Sequence, residues 1–172
     1  YFITDVMSPL EVLLDKPVSA GGLGWTSDDY GFFSGSYGLI NVFLLMLFFG
    51  GIILDKMGIR FTGIMACGLM VLGVFIKFYG VTADFGGSRF TLDFVNFSLP
   101  MSAAVASMGF AIFGVGCEIC GITVSKIITK WFTGHELALA MGIQVALARL
   151  GTAAAMMGSL PFAKAFGGKV GA

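Results

Sequence analysis

Residues 50–60 read GGIILDKMGIR, a short charged stretch between two long apolar runs. The run 30–54 before it contains no charged residue, and the run 61–83 after it contains only Lys77. A helix needs about 20 residues to cross the hydrocarbon core of a bilayer, so each run is long enough to span it. The charged residues between the runs therefore predict a tight turn over 55–59 that joins two antiparallel membrane helices.

The rest of the chain repeats this arrangement of long apolar runs and isolated charges. Glu118 is the only charged residue in 94–125, and Arg149 is the only one in 137–163. The sequence therefore predicts an all-α fold, a polytopic transmembrane helix bundle. Its spanning helices are expected at about 30–54, 61–80, 101–129 and 134–160, the last ending at Pro161.

Composition excludes two broad classes of protein. Hydrophobic residues make up 57% of the chain and charged residues 12%, whereas soluble domains are about 25% charged. The mean hydropathy is +0.93, which excludes a soluble globular domain. Ten basic and ten acidic residues give a formal net charge of zero, so there is no basic surface to bind the phosphates of a nucleic acid.

Five positions in and beside the turn carry a recognisable pattern, GxxxDKxGxR: Gly51, Asp55, Lys56, Gly58 and Arg60. Gly51 permits close helix packing, Gly58 permits the tight turn, and Asp55 offers a carboxylate to a neighbouring helix end. The pattern resembles the signature loop between the second and third helices of the major facilitator superfamily. This resemblance implies twelve helices in two halves with substrate between them, a cytoplasmic loop, and a gate in which Asp55 locks one face shut.

The resemblance also implies that the chain is part of a larger transporter. Residues 1–14 are expected to be the end of helix one, and 81–100 a long loop of open function whose four Phe suit an interfacial segment. The chain is then a partial amino-terminal half. The first half of helix one, helix six and the carboxyl-terminal half are expected to lie outside it.

Two charges of opposite sign are predicted to lie deep in the membrane. Glu118 is 12 residues before Lys130, and Arg149 is 15 residues after Gly134; at about 1.5 Å per residue both lie about 18–22 Å deep. Ionisable groups at such depth face a cavity or a partner. Two compatible interpretations stay open: a salt bridge between neighbouring helices, or two poles that bind the ammonium and the carboxylate of a zwitterion.

The sequence around these charges resembles the lysosomal dipeptide uniporter branch of the superfamily and its bacterial relatives. The residues that carry this resemblance are Phe113, Gly114, Gly116, Glu118, Trp131, Phe132, Gly134, Glu136, Leu137, Gly142, Gln144, Ala148, Arg149 and Gly151. It implies that Glu118 and Arg149 bind the peptide termini. Phe110 stands where many proton-coupled members carry an arginine, which leaves proton coupling and facilitated diffusion both open.

Further candidates rest on single residues. Tyr37 and Asn41 share a polar stripe with Ser34 on helix two, which either lines the cavity or forms hydrogen bonds between helices. Asp5 either meets a substrate ammonium or is simply interfacial. Lys77, near the end of its run, is predicted to extend to the membrane interface.

These features predict a transporter, not an enzyme, that moves a small zwitterionic solute by alternating access, with a dipeptide as the best candidate. The alternatives are a proton-coupled organic anion, sugar or drug porter, and a non-transporting structural subunit. No cofactor or metal is expected, because His135 is the only histidine. The expected partners are the solute, the lipid bilayer and, left open, a proton; the expected location is the cell (inner or plasma) membrane, with the lysosomal membrane as the alternative.

Overall fold

A computed structural model describes residues 2–17, 22–43, 46–83, 85, 88–92 and 97–165. The described helices are α1 (Phe2–Asp5), α2 (Glu11–Leu14), α3 (Ser27–Phe43), α4 (Met46–Thr82), α5 (Met101–Trp131) and α6 (His135–Ala165), with strands β1 (Arg89–Leu92) and β2 (Phe97–Pro100). The chain divides into a central unit, residues 28–127, and a terminal unit, residues 1–27 with 128–172.

The predicted turn between the first two spanning helices is reduced to one residue. Gly58 has φ 82° and ψ 168° inside α4, every residue of which is described, and the residues on both sides of it are helical. A positive φ of this size is open to glycine and strained for other residues, so the predicted role of Gly58 in the turn is confirmed. The predicted helix over 30–54 corresponds to α3 and the first arm of α4, and its residues 44 and 45 lie outside the described residues.

The second arm of α4 packs against α5 through glycines. A Cβ added to Gly73 would lie 2.5 Å from the backbone nitrogen of Phe113, and one added to Gly80 would lie 2.6 Å from that of Ala106. The facing glycines of α5, Gly109 and Gly116, meet the backbone of α4 in the same way. Within each helix the two glycines are seven residues apart, the spacing that keeps one seam in register between supercoiled helices. We call these four residues the glycine seam.

The stretch 81–100 was predicted to be a loop, and this is wrong for its described strands. β1 and β2 pair antiparallel, with Arg89 opposite Pro100 and Leu92 opposite Phe97. An aromatic residue in each segment and the β-branched Thr91 in β1 favour an extended backbone, which outweighs the loop-like Gly, Ser and Asp around them. The rest of the predicted loop at 84, 86–87 and 93–96 lies outside the described residues.

Two predicted helix boundaries are also wrong. The described residues 2–14 of the predicted helix end at 1–14 do not form one helix: α1 and α2 are separated by a turn and a 3-10 segment, Ser8–Leu10, with Pro9 in its first positions. Pro9 has no N–H to continue the helical ladder. By contrast Pro161 lies inside α6, which continues to Ala165, because membrane helices tolerate the one hydrogen bond that proline removes.

Three helical segments of the described chain are long and apolar enough to span a bilayer: Phe48–Thr82, Met101–Trp131 and His135–Ala165. Large apolar side chains point away from the protein along them, among them Phe75 at 72% exposure and Met157 at 79%. Such side chains are stable in lipid and costly in water. The protein is an integral membrane protein, and its fold is an all-α helical bundle with one short hairpin.

Candidate functional site

Three of the predicted site residues meet in the central unit. The hydroxyl of Tyr37 on α3 donates a hydrogen bond to Glu118 Oε1 on α5 over 3.2 Å. One helical turn along α3, Asn41 Nδ2 donates to the backbone oxygen of Tyr37 over 2.9 Å. Gly114 makes room for this arrangement, since a Cβ there would lie 2.8 Å from Tyr37 O and 3.1 Å from Asn41 Nδ2. We call Tyr37, Asn41 and Glu118 the acidic cluster.

The acidic cluster contains an unused acceptor. Asn41 Oδ1 is buried and has no hydrogen-bond partner among the described residues. A buried acceptor without a donor costs about 1–3 kcal/mol, and most such atoms in folded proteins are satisfied. Asn41 Oδ1 and the Glu118 carboxylate together offer acceptors for a ligand with several N–H groups.

A second pair of polar residues lies in the terminal unit. Thr152 Oγ1 on α6 donates a hydrogen bond to Asp5 Oδ2 over 2.7 Å. Arg149, which is exposed, lies three residues before Thr152 and therefore on the same side of α6. Thr152 was not predicted as a site residue, although its spacing from Arg149 was a usable signal. Glu118 and Arg149 belong to different units, so their pairing stays a prediction.

The turn pattern makes an ion pair near the end of α5. Asp55 on α4 forms a salt bridge with Lys126, with the Asp55 side chain 73% exposed. Exposed pairs of this kind contribute about 1 kcal/mol or less. Lys56 and Arg60 are exposed, as expected for residues at the membrane surface. The sequence predicted that Asp55 offers its carboxylate to a neighbouring helix, and the contact with Lys126 of α5 agrees with this. The role of Asp55 as a gate stays a prediction.

Gly51 does not lie at a helix contact among the described residues, so its packing role stays a prediction. A Cβ at Gly51 would meet no atom of the described residues within 4 Å, whereas one at Gly50 would lie 3.0 Å from Ile122 Cδ1 and 3.2 Å from Ile119 Cγ1. Successive residues on a helix are turned by about 100°, so the contact face passes through one of the two glycines and not the other. The sequence pattern does not distinguish them.

Lys77 contradicts its predicted position at the membrane interface. Its side chain is 6% exposed, with Nζ 4.6 Å from the ring centre of Phe110 and 5.4 Å from that of Phe33. The two rings are stacked, 4.8 Å apart. Lys77 lies between Gly73 and Gly80 in the sequence, at the four- and three-residue spacings that place it on the seam side of α4. The spacing of Lys77 from Gly73 and Gly80 could have predicted that its side chain points toward α5.

The central unit also has a cavity of about 600 Å³ between α3, α5 and the hairpin. Apolar residues such as Leu39, Leu99 and Met108 line it, with Ser36 and Ser107 as the polar exceptions. None of the predicted site residues lines it, and its chemistry suits an apolar group instead of a zwitterion. Among the described residues no cluster of three or more His, Cys, Asp or Glu side chains could hold a metal ion.

Comparison with known proteins finds sequence similarity to a group of transporters. The chain is similar to the lysosomal dipeptide transporter MFSD1 of Homo sapiens, with 28% identity over 110 residues that cover 63% of this chain and 20% of that protein. The chain is a distant relative of the major facilitator transporters. The proteins of the same name from Bos taurus and Danio rerio are 29% and 28% identical, each over 63% of this chain and 20% of their own length.

The chain therefore matches only about a fifth of the length of these curated relatives. No family model matches the chain. No solved structure matches it either.

Proposed function

We propose that the chain is part of a major facilitator transporter that moves a small zwitterionic solute across a membrane by alternating access, with a dipeptide as the best candidate. The observation that carries this proposal is the acidic cluster, a carboxylate held by a tyrosine beside an unused buried acceptor. A major facilitator relative named as a dipeptide transporter supports the same class of solute.

The acidic cluster has the chemistry of an ammonium site. A carboxylate inside a membrane helix pair is costly and is retained where it faces a partner or a cavity. Tyr37 fills one of the roughly four acceptor positions of Glu118. An ammonium group brings three N–H donors, which the remaining positions of Glu118 and Asn41 Oδ1 can accept.

Arg149 is the proposed partner of the solute carboxylate. Its planar guanidinium can bind both oxygens of a carboxylate at once, which a lysine cannot do. Asp5 accepts a hydrogen bond from Thr152, which lies on α6 as Arg149 does. The terminal unit would therefore present an acidic group as well as a basic one. Asp5 is accordingly a second proposed ammonium contact.

The solute crosses the membrane unchanged, so the proposal requires no catalytic group. The Asp55–Lys126 pair would open and close on the loop side of the central unit during the cycle. Its small energy suits a contact that must break in each turnover. The membrane in question is proposed to be the cell membrane, with the lysosomal membrane as the alternative suggested by the names of the relatives.

A ligand-binding experiment tests the proposal on the purified full-length protein. We expect Gly-Gly and Leu-Ala to raise its thermal stability, and Glu118→Gln and Arg149→Ala each to raise the dipeptide Kd at least about tenfold, which corresponds to 1.4 kcal/mol. Glu136→Gln and Lys130→Ala are matched controls, because both residues are exposed near the turn between α5 and α6.

Dipeptide stabilisation that survives both site substitutions would show that these residues are not the binding poles. A second candidate function is an organic anion porter, in which Arg149 binds the solute and Glu118 only balances its charge. Stabilisation by acetate or succinate that Glu118→Gln leaves unchanged would support that function over dipeptide transport.

A further inference from the structure

A charged side chain lies inside the central unit without a role in the proposed function. Lys77 is 6% exposed and projects from the second arm of α4 toward aromatic residues of α3 and α5. Burying an ammonium costs several kcal/mol unless the surroundings compensate for it. A charge retained at that cost calls for a function.

Two aromatic rings contribute to this compensation. Lys77 Nζ lies 4.6 Å from the centre of Phe110 and 5.4 Å from that of Phe33, and these rings are stacked at an interplanar angle of 12°. A desolvated cation over an aromatic face gains about 2 kcal/mol. The ammonium therefore holds one ring of α3 and one ring of α5 in a fixed mutual position.

The position of Lys77 itself is fixed by the glycine seam. A Cβ on Gly109 would collide with the backbone nitrogen of Lys77, so the two backbones touch at this point. Phe110 is the next residue on α5. The backbone of Lys77 is therefore held against α5 immediately beside Phe110, the ring that its ammonium faces.

The same rings connect to the acidic cluster. Phe110 packs against Tyr37, with ring centres 5.4 Å apart and an interplanar angle of 46°. Phe33 is four residues before Tyr37 and therefore on the same side of α3. Tyr37 in turn donates its hydrogen bond to Glu118. One continuous line of contacts thus joins the Lys77 ammonium to the Glu118 carboxylate.

We propose that Lys77 is a positioning residue for substrate recognition: it holds Phe33 and Phe110, and through them Tyr37, so that Glu118 is presented to the ammonium of the solute. This inference rests on the proposed function. It adds that selectivity for a free amino terminus depends on a lysine that does not touch the solute.

Two substitutions separate this role from simple packing. Lys77→Met keeps a long flexible side chain without a buried charge, and Lys77→Arg keeps a cation that stacks on aromatic rings. In the purified full-length protein, Kd is measured for Leu-Ala and for N-acetyl-Leu-Ala, which lacks the ammonium. The ratio of the two constants is the readout, because a general loss of stability changes both alike.

We expect the wild type to bind Leu-Ala at least about tenfold more tightly than its acetylated form, a difference of 1.4 kcal/mol. Lys77→Met should bring the ratio to within about threefold of one, which is about 0.7 kcal/mol, and Glu118→Gln should do the same. Lys77→Arg should retain the wild-type ratio. Lys130→Met, at an exposed lysine of α5, is the matched control and should leave the ratio unchanged.

A wild-type ratio in Lys77→Met would overturn the inference, even if both constants rose together. If Lys77→Met does not yield folded protein, Phe110→Leu removes the ring that receives the ammonium, and an unchanged ratio there would overturn the inference equally. A wild type without preference for the free amine would instead refute the proposed ammonium site, and this inference with it.

Discussion

The hydroxyl of Tyr37 is one of the polar groups that link the apolar helices α3 and α5. It donates to Glu118 across the interface of α3 and α5, while the ring that carries it packs on Phe110. A hydrogen bond to a charged acceptor contributes about 1.5–3 kcal/mol, more than most neutral ones. In a membrane interior the loss of this donor would leave a carboxylate oxygen without compensation.

Replacing Tyr37 with Phe removes the hydroxyl and keeps the ring. We expect Tyr37→Phe to lower the stability of the full-length protein by about 1.5–3 kcal/mol, because Glu118 Oε1 loses its donor. Dipeptide affinity should fall as well, since Glu118 is no longer held in one orientation. The measurements are the thermal unfolding midpoint without ligand and the Kd of Leu-Ala.

Tyr79→Phe is the matched control for this substitution, because Tyr79 is an exposed tyrosine of α4 at 57% exposure. It should change neither quantity. Equal stability of Tyr37→Phe and the wild type would mean that the hydrogen bond does not hold Glu118.

The orientation of individual residues about the helix axis was not predictable from the sequence, and the depth of Glu118 and Arg149 in the membrane stays a prediction. Counting residues from a loop predicted Glu118 and Arg149 as interior positions, and the polar stripe of α3 predicted that Tyr37 and Asn41 act together. The same count placed Lys77 near a helix end, yet its side chain turns inward to Phe110. Depth along a helix follows from residue number, whereas orientation depends on which neighbour the helix packs against.

The glycine seam lets two helices of the central unit approach to backbone contact. A side chain at Gly73 would overlap Phe113 and the backbone oxygen of Gly109. Association of helices in lipid depends on such close packing, because lipid supplies no hydrophobic driving force between them. The seam therefore has a measurable share in the stability of the unit.

Gly73→Ala tests this contribution against a control in the same helix. We expect it to destabilise the full-length protein by about 1–3 kcal/mol, the usual cost of overpacking. Gly68→Ala places its methyl group where no described atom lies within 4 Å, so it should be neutral or stabilising through helix propensity. The thermal midpoints of both variants are compared with that of the wild type.

A Gly73→Ala protein as stable as Gly68→Ala would show that α4 and α5 can separate without loss. The helices would then not depend on the seam.

Helices and their connections were predictable where the decisive signal is local. Gly58 was predictable because a tight turn needs the positive φ that glycine provides. The pairing of β1 with β2 was not, since it depends on hydrogen bonds between segments and not on either segment alone. Pro161 was assigned as a helix end, but the helical residues on both sides of it keep α6 continuous.

At the scale of the whole molecule, the outer surface is adapted to lipid. Cys67 illustrates this, because its side chain is exposed and lies nine residues after Gly58 on α4. Nine residues of helix advance about 13 Å, so Cys67 lies well within the hydrocarbon layer. Exposure on this face means contact with acyl chains and not with water.

A cysteine-labelling experiment checks this placement. In a Cys117→Ala/Cys120→Ala background in native membranes, we expect Cys67 to resist a charged, membrane-impermeant maleimide and to react after denaturation in SDS. The hydrocarbon layer excludes a charged reagent, because a charge is costly there. Lys130→Cys, introduced into the same background with Cys67→Ala, is the control and should react at once.

Labelling of Cys67 in native membranes at the rate of the control would place this face of α4 in water. The membrane-spanning assignment of α4 would then be wrong.

The broad class of the molecule was predictable from the sequence, and its assembly was not. Charged residues make up only 12% of the chain and occur in clusters, which is sufficient to predict a bundle of membrane-spanning helices. The division of the chain into units of 28–127 and of 1–27 with 128–172 has no counterpart in composition or in loop length, because it depends on long-range packing. The expected second half of the transporter stays a prediction.

The glycine seam also limits how the gene can change. Glycine is the smallest amino acid, so every missense mutation at Gly73, Gly80, Gly109 or Gly116 adds bulk at a point where two backbones already touch. No single amino-acid substitution at these four positions is therefore expected to be neutral. Codons for lipid-facing residues of the same helix, such as Val71 at 70% exposure, can exchange one apolar residue for another freely. Along α4, slowly changing seam positions and faster-changing lipid-facing positions are therefore expected to alternate with the period of the helix.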